Sequence, residues 1–388
     1  MPSSTEIREI LSKIEEIKPL PLAVTKLFEI TNNIESSVRE ATNILSSDQA
    51  LSAKVLKAAN SPVYGYSQRI ATVTQAIVIL GFSGLRQLVV SVAMKDAAVG
   101  GGSPERKELW QHALVTACIS KQVTNLLPTK DPEMAFISGL LHDIGKIIFL
   151  DHYPMEYQQL QEESEKTTTP MNKLELSNFK MNHADIGREL CKHWQLPAVL
   201  IRPVAYHHMN LPETSGENVD DQIIRTVQIG NELSKFAASS SATSPIVNTS
   251  FLSHFKKEGF WLKTYKDILN GLPDEIQKVA EVFGSGEEIK QGFQSAEAPV
   301  KYSIDIKDEK MKDIFKLLMH IKGHNYIPAE NVEFQETTAY LFADFPKEYK
   351  GDVKVGNFST FSGRSENVNG PYINIRNLSN WIDNVIQS

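Results

Sequence analysis

The segment Gly139-Leu140-Leu141-His142-Asp143-Ile144-Gly145-Lys146 sets a histidine and an aspartate side by side in otherwise apolar surroundings. Ile137, Leu140, Leu141, Ile144 and Ile148 recur at offsets of 0, 3, 4, 7 and 11, which is helix periodicity. The spacing predicts a buried helix with Gly139, His142, Asp143 and Lys146 on its other side. An unpaired charge in an apolar interior is costly. Any fold of this chain must therefore bring polar partners to the pair, and Gly139 would let a neighbouring element come close enough to supply them.

The histidines show where partners can come from. Seven of the ten lie between His112 and His208. Glu108 and His112, four apart, share one helix face. His183 and the pair His207-His208 stand on two further segments. His193 follows His183 by nearly three turns, about 15 Å along a helix, and is too far to share an ion. His152 sits beside a turn. Imidazole nitrogens with carboxylate oxygens suit a divalent transition metal (Fe, Mn, Ni, Co or Zn) better than a lone Mg. Such an ion can lower the pKa of a water to roughly 7. Lys146, one turn after His142, can offer a phosphate oxygen a point charge. Each residue also has an ordinary reading. A single histidine is more often a hydrogen-bonded core or surface residue, Glu108 a solvated helix face, and Lys146 a snorkelling lysine. Their concurrence on four segments favours a metal site over coincidence.

The rest of the chain frames that site with helices. Periodicity predicts helices over 6–17, 21–31, 37–45, 49–60, 72–80 and 85–97, with Asp48 as an N-cap and Gly81 as a break. Residues 100–103 (Gly-Gly-Gly-Ser) read as a joint. Ser103-Pro104 and Asp131-Pro132 each give an N-cap followed by a first-turn proline, opening helices to about Leu127 and through the His142 segment. Further helices are expected over 156–169, 170–180, 183–194, 196–208 and 221–237, with Asn182 and Asp185 as a capping pair and a kink at Pro203. A serine-rich joint follows at 238–244. Val300, Tyr302, Ile304 and Ile306 alternate as a strand does. A helix over 311–321, strands over 332–342, 353–358 and 372–375, and a closing helix from Leu378 complete the pattern. The expected division is a helical unit over 1–99, a second over 103–240, a helical linker over 241–297, and a small α+β domain over 298–388.

Composition narrows the function class. A formal net charge of −7 over 388 residues speaks against general nucleic-acid binding. Two cysteines, Cys118 and Cys191, make no disulfide framework and suit a reducing compartment. The first residues lack the basic and apolar parts of a signal peptide. No uninterrupted apolar run approaches a membrane span. The expectation is a cytoplasmic protein with no membrane partner.

The order His112, His142-Asp143, His183, His207-His208 resembles the HD-domain phosphohydrolase superfamily, and more closely its HDOD relatives, a family of bacterial signalling proteins. The resemblance covers roughly residues 10–210. Its earlier part rests on Leu20-Pro21, Ser47-Asp48-Gln49-Ala50-Leu51, Ala59-Asn60-Ser61-Pro62, Ala76-Ile77 and Ile79-Leu80-Gly81. Its later part rests on 139–146, His183-Ala184-Asp185-Ile186-Gly187 and Trp194-Gln195-Leu196-Pro197. It implies a mainly α, HDOD/HD-like helical bundle. By similarity to the HD-GYP branch, Glu108, His112, His142, Asp143, His183, His207 and His208 match metal-ligand positions. Two features depart from that branch. Asn231 stands where the last ligand is normally Asp, and Met209-Asn210-Leu211-Pro212 replaces the Gly-Tyr-Pro signature.

Two functions follow from the resemblance. The first is a regulatory module, non-catalytic, acting through a signalling protein partner or a nucleotide-type ligand. The second is a metal-dependent phosphodiesterase or phosphohydrolase acting on a nucleotide or phosphoester, with Asp143 and Lys146 as the catalytic pair. A third arrangement keeps the metal for structure or sensing. The C-terminal unit resembles no family by sequence.

Overall fold

The computed structural model describes residues 4–237 apart from 18, 31–33, 62–68, 101, 126–130 and 210–218. It also describes 245–248, five short strands or strand pieces beyond residue 300, and the single positions 268, 272, 274, 276, 279 and 378. Thirteen helices fill the first part: α1 Ser4–Glu16, α2 Leu22–Glu29, α3 Ile34–Ser46, α4 Gln49–Ala59, α5 Val73–Val99, α6 Pro104–Val123, α7 Pro132–Leu141, α8 Lys146–His152, α9 Pro154–Thr167, α10 Met171–Phe179, α11 His183–His193, α12 Ala198–Tyr206 and α13 Val219–Ala237. The strands are β1 Ile246–Asn248, β2 Lys301–Asp305, β3 Asn325–Tyr326, β4 Ala339–Ala343, β5 Val353–Asn357 and β6 Tyr372–Asn374.

Local chemistry explains where the helices begin. Asp48 accepts from the Leu51 N–H at 2.9 Å and opens α4. Thr72 and Gln75 form a capping box at α5. Ser103 and Asp131 cap α6 and α7, each followed by a proline that lacks the N–H a first turn cannot use. Asn182 and Asp185 form the capping box of α11.

Two helices differ from the periodicity reading. Gly81 is a kink rather than an end: it sits at φ 68°, ψ 174°, a region essentially confined to glycine, and α5 resumes beyond it. α5 thereby gains the length and apolarity of a membrane span, contrary to the expectation from uninterrupted runs, and half of that window is buried inside the protein. The second difference concerns the His142 segment. The helix stops at Leu141 and restarts at Lys146, and Ile144, Lys146, Ile147 and Ile148 each donate to a carbonyl three residues back. These tighter turns hold His142 and Asp143 at a junction between α7 and α8.

α6 packs along α7 and α13, α12 lies against α7, α11 and α13, and α5 bridges α4 to α7 and α6. α1 folds back onto α8 and α11. One apolar cluster runs from Ile10 and Ile14 through Leu85, Leu114, Ile137 and Ile148 to Ile229 and Leu233. Each such fully buried side chain contributes about 1.5–3 kcal/mol relative to exposure. Two ion pairs tie these helices together, one between α5 and α7 and one between α6 and α8. Arg86 pairs with Glu133 in the first turn of α7, its Nη2 at 2.8 Å from Oε2. Arg106, itself buried, pairs with Asp151 of α8 at 2.5 Å and donates to the Ala98 carbonyl at 2.7 Å. Cys118 and Cys191 are buried and are not joined in a disulfide.

Beyond the bundle, β3-β2-β4-β5 form a four-stranded sheet in that order, every pair parallel. Parallel neighbours need crossover connections, and these lie outside the described residues, as does the helix expected over 311–321. β1 pairs antiparallel with β6, with Val247 opposite Ile373. The sequence reading has helix across 241–297. Three residues are too few to show an alternation, so β1 leaves no sequence signal. Val247 and the helical Leu378 are both fully buried in the main cluster.

Candidate metal centre

The α7–α8 junction brings Asp143 to the middle of the bundle. Close approach is secured by glycines. A Cβ on Gly139 would lie 2.9 Å from the Ala117 Cα of α6, and one on Gly145 would overlap the His183 carbonyl of α11. Gly187 similarly admits Val204 of α12. The four histidine-bearing elements are thus pressed onto one point.

That point is the Asp143 carboxylate. Its Oδ2 lies 3.4 Å from His112 Nε2, 3.3 Å from His142 Nε2 and 2.5 Å from Lys146 Nζ. Its Oδ1 lies 3.2 Å from His183 Nε2 and 3.6 Å from His207 Nε2. His208 reaches the same place through His183, with the two Nε2 atoms 2.8 Å apart. His112, His142, Asp143, Lys146, His183 and His207 are buried, and His208 is half-buried.

Hydrogen bonds at the far ring nitrogens decide what the near ones offer. His142 Nδ1 lies 2.7 Å from the Gly139 carbonyl and His207 Nδ1 lies 2.8 Å from the Val204 carbonyl. A carbonyl only accepts, so each Nδ1 carries the proton, and whatever lone pair the ring offers is on the inward-facing Nε2. His112 is set less directly. Ser234 of α13 donates to the Asn231 carbonyl at 2.8 Å and accepts from Thr116 at 3.0 Å, leaving its oxygen to accept from His112 Nδ1 at 3.2 Å. His183 Nδ1 lies 2.5 Å from Glu175 Oε2, which also accepts the His183 backbone N–H at 2.8 Å. Tyr157 donates to the other oxygen of Glu175 at 2.8 Å.

Electrostatics follow. Burial pushes the His112 and His207 pKa values down to about 4, more strongly than Asp143 pulls them up. Burial and the neighbouring imidazoles also hold His208 well below its ordinary value. His183 goes the other way: burial opposes its charge, but Glu175 and Asp143 outweigh that and lift it to about 9. Burial works against ionised Asp143 too, yet the surrounding His142, Lys146 and His183 hold it well below the usual carboxylate range. Glu175 is lowered by His183 in the same way. The two buried carboxylates thus lie against Lys146 and the surrounding imidazoles, the opposite-charge company that buried carboxylates require.

The donor set fits a metal ion on a specific ground. His142 Nε2, His207 Nε2 and Asp143 Oδ1 are buried and make no hydrogen bond. Buried polar atoms are normally paired, so three unpaired acceptors converging on one point suit a cation. Asp143, His183, His207 and His208 form one group whose donor atoms lie within 4.8 Å of one another, and His112, His142 and Asp143 form another.

The structure therefore brings together His112, His142, Asp143, His183, His207 and His208, and places Pro203 inside α12 without separating the last two from the rest. It does not bring Glu108 to them: this residue lies one turn before His112 on α6, half-exposed, and belongs to neither group. The Lys146 ammonium is turned onto Asp143. Asn231 is buried on α13, one turn before Ser234. The sequence reading passed over Glu175, Tyr157, Thr116 and Ser234. Glu175 did leave a trace, since it shares the buried face of α10 with Met171 and Leu174, where an acidic residue needs a partner.

The family model of the HDOD domain matches residues 17–210. A protein of Treponema pallidum (strain Nichols), itself uncharacterized, is 30% identical over 233 residues, covering 58% of this chain and 44% of that protein. The chain thus spans less than half the length of the curated relatives it matches. Among solved structures, an HDOD domain protein of unknown function from Geobacter sulfurreducens superposes with a TM-score of 0.53 at 24% identity, covering 74% of this chain and 95% of that one. A protein of Marinobacter aquaeolei VT8 with a provisional signal-transduction description superposes at 0.56 and 15% identity, covering 74% of this chain and 65% of that one. At these identities the likeness is one of fold.

Proposed function

The chain belongs to the HDOD family, and from that premise we propose that it is a bacterial regulatory module that acts by binding a signalling partner or nucleotide-type ligand. In this reading the buried histidine–aspartate cluster is a metal centre used for structure and sensing, without turnover. The observation that carries it is the engagement of Asp143. Among the described residues this is the one carboxylate in the two candidate ligand groups, and Lys146 sits 2.5 Å from its Oδ2. α13, which faces the cluster, offers the neutral Asn231. A hydrolytic site needs a free carboxylate or comparable base to take the proton of an attacking water, and here the available one is neutralised from within.

A divalent transition ion would be held by His112, His142, His183, His207 and Asp143, with His208 alongside. Such an ion supplies Lewis acidity, and its Zn, Fe, Mn, Ni or Co identity follows from the imidazole-rich set. The chain's own residues hold those donors in register through Gly139, Val204, Ser234 and Glu175, and exclude water by burial. The two buried cysteines without a disulfide support a reducing compartment in this reading. The rival reading, a metal-dependent phosphohydrolase, is favoured by the unpaired His142 Nε2, His207 Nε2 and Asp143 Oδ1.

The deciding measurement combines elemental analysis, chelator-dependent melting and a phosphodiester turnover panel on the full chain and on His142→Ala. The regulatory reading expects near-stoichiometric metal, a melting temperature that falls on chelation, and turnover no higher than the variant's. Metal-dependent hydrolysis lost in His142→Ala would overturn it.

A further inference from the structure

The stretch of α13 from Gly230 to Lys235 carries two sets of contacts on different faces. On the first face, Ser234 orients His112 and, with Thr116, links α13 to α6. Gly230 seats the two helices directly on each other: a Cβ there would overlap the Ser120 hydroxyl and lie 3.0 Å from the Thr116 carbonyl. On the second face, Lys235 Nζ lies 2.8 Å from both Glu232 oxygens and donates to the Ile246 carbonyl at 2.8 Å. Glu232 Oε2 accepts the Asn248 backbone N–H at 2.8 Å. Both ends of β1 are thereby clasped to α13. β1 itself pairs residue for residue with β6, 124 to 128 positions further along the chain (Asn248 with Tyr372, Ile246 with Asn374). Lys235 is also close enough to lower the charge tolerance of His208.

We propose that β1 is a strap through which the C-terminal part of the chain regulates the metal centre, acting by way of the Glu232–Lys235 clasp on α13 and the Ser234–His112 contact one residue away. This rests on the metal-centre reading above. The physical basis is the absence of slack. Close-packed helices do not deform continuously, and the α13–α6 contact has no room for a methyl group at Gly230. A pull on β1 is therefore passed to α13 as a whole, and α13 holds the hydroxyl that aims His112. Coupling of this kind is reciprocal: if the strap biases metal affinity, metal must bias the strap by the same factor.

The test uses the full chain and cobalt(II), with a chromophoric chelator as competitor. Lys235→Met removes the cation of the clasp. Asn248→Pro removes the N–H that Glu232 accepts, together with the Asn side chain, and leaves both charged residues of the clasp in place. Both variants are expected to bind cobalt about ten-fold more weakly than wild type, with altered ligand-field absorption. In wild type, hydrogen exchange over 245–248 is expected to slow on cobalt loading. Direct charge removal beside His208 predicts the opposite sign, tighter cation binding by Lys235→Met. Tighter or unchanged binding, with wild-type absorption and exchange that ignores cobalt, overturns the strap while leaving the metal centre standing. Failure of wild type to take up cobalt, or equal uptake by His142→Ala, removes the metal-centre reading and the strap with it.

Discussion

His183 and Glu175 are joined twice: one carboxylate oxygen accepts the backbone N–H of His183 at 2.8 Å and its ring Nδ1 at 2.5 Å. The pair fixes both the position of the α11 N-terminus and the direction of the imidazole. An outer carboxylate that orients a ligating histidine in this way typically matters to metal affinity by ten- to a hundred-fold. Glu175→Gln is therefore expected to weaken metal binding by about that factor in a chelator competition. Tyr157→Phe, which removes only the hydroxyl bonded to the far oxygen, should cost about 1 kcal/mol of stability and little affinity.

Asp143→Asn tests the hub. The substitution leaves Lys146 buried without its carboxylate, and breaking a buried pair from one side costs about 3–5 kcal/mol. Chemical denaturation of the metal-free protein should show a loss of that order, and elemental analysis should show metal content falling to a small fraction of wild type.

Gly145→Ala tests the close approach of α8 to α11. The added methyl has to displace the His183 carbonyl, a backbone atom that cannot swing aside as a side chain can. Overpacking typically costs about 1–3 kcal/mol, and a backbone clash belongs at or above the upper end. A melting temperature within a degree or two of wild type would contradict this packing.

The pH dependence of the metal-free protein has a defined shape. His112 and His207 titrate near 4 when folded, below the ordinary value of about 6.5. Between those values the unfolded chain binds more protons, so stability falls as pH drops through that window. His183 titrates near 9 when folded. Its contribution is complete below about pH 6.5 and disappears as pH rises towards 9. Melting temperature should peak near pH 6.5 and decline more steeply on the acid side, where at least two protons are involved against one. Asp143, Glu175, Lys146, His207 and His208 all face His183, so Glu175→Gln should flatten the alkaline limb.

Much of this protein is written locally. Asp48, Ser103-Pro104, Asp131-Pro132 and Asn182…Asp185 announce helix starts because capping chemistry acts within one turn. Ile137, Leu140, Leu141, Ile144 and Ile148 fix which side of their segment is buried, because 3.6 residues make a turn whatever the neighbours are. The same local rules set the histidines on separate segments and so foretold a cluster around His142-Asp143. They were silent on what happens between elements. At the 142–145 break Gly145 admits the carbonyl of His183, 38 residues further along the chain, a contact that no local pattern announces. Glu108 shares a face with His112 in the helix yet stays outside the cluster, since a shared face does not say which residue on it points at the centre. Glu175, Ser234 and β1 matter only through partners distant in the chain. The sequence by itself determined the helices, their buried faces and the candidate ligands. Only the tertiary structure decided which donors meet, which ring nitrogens they present and that Lys146 neutralises Asp143, because those are set by packing contacts that no local pattern encodes.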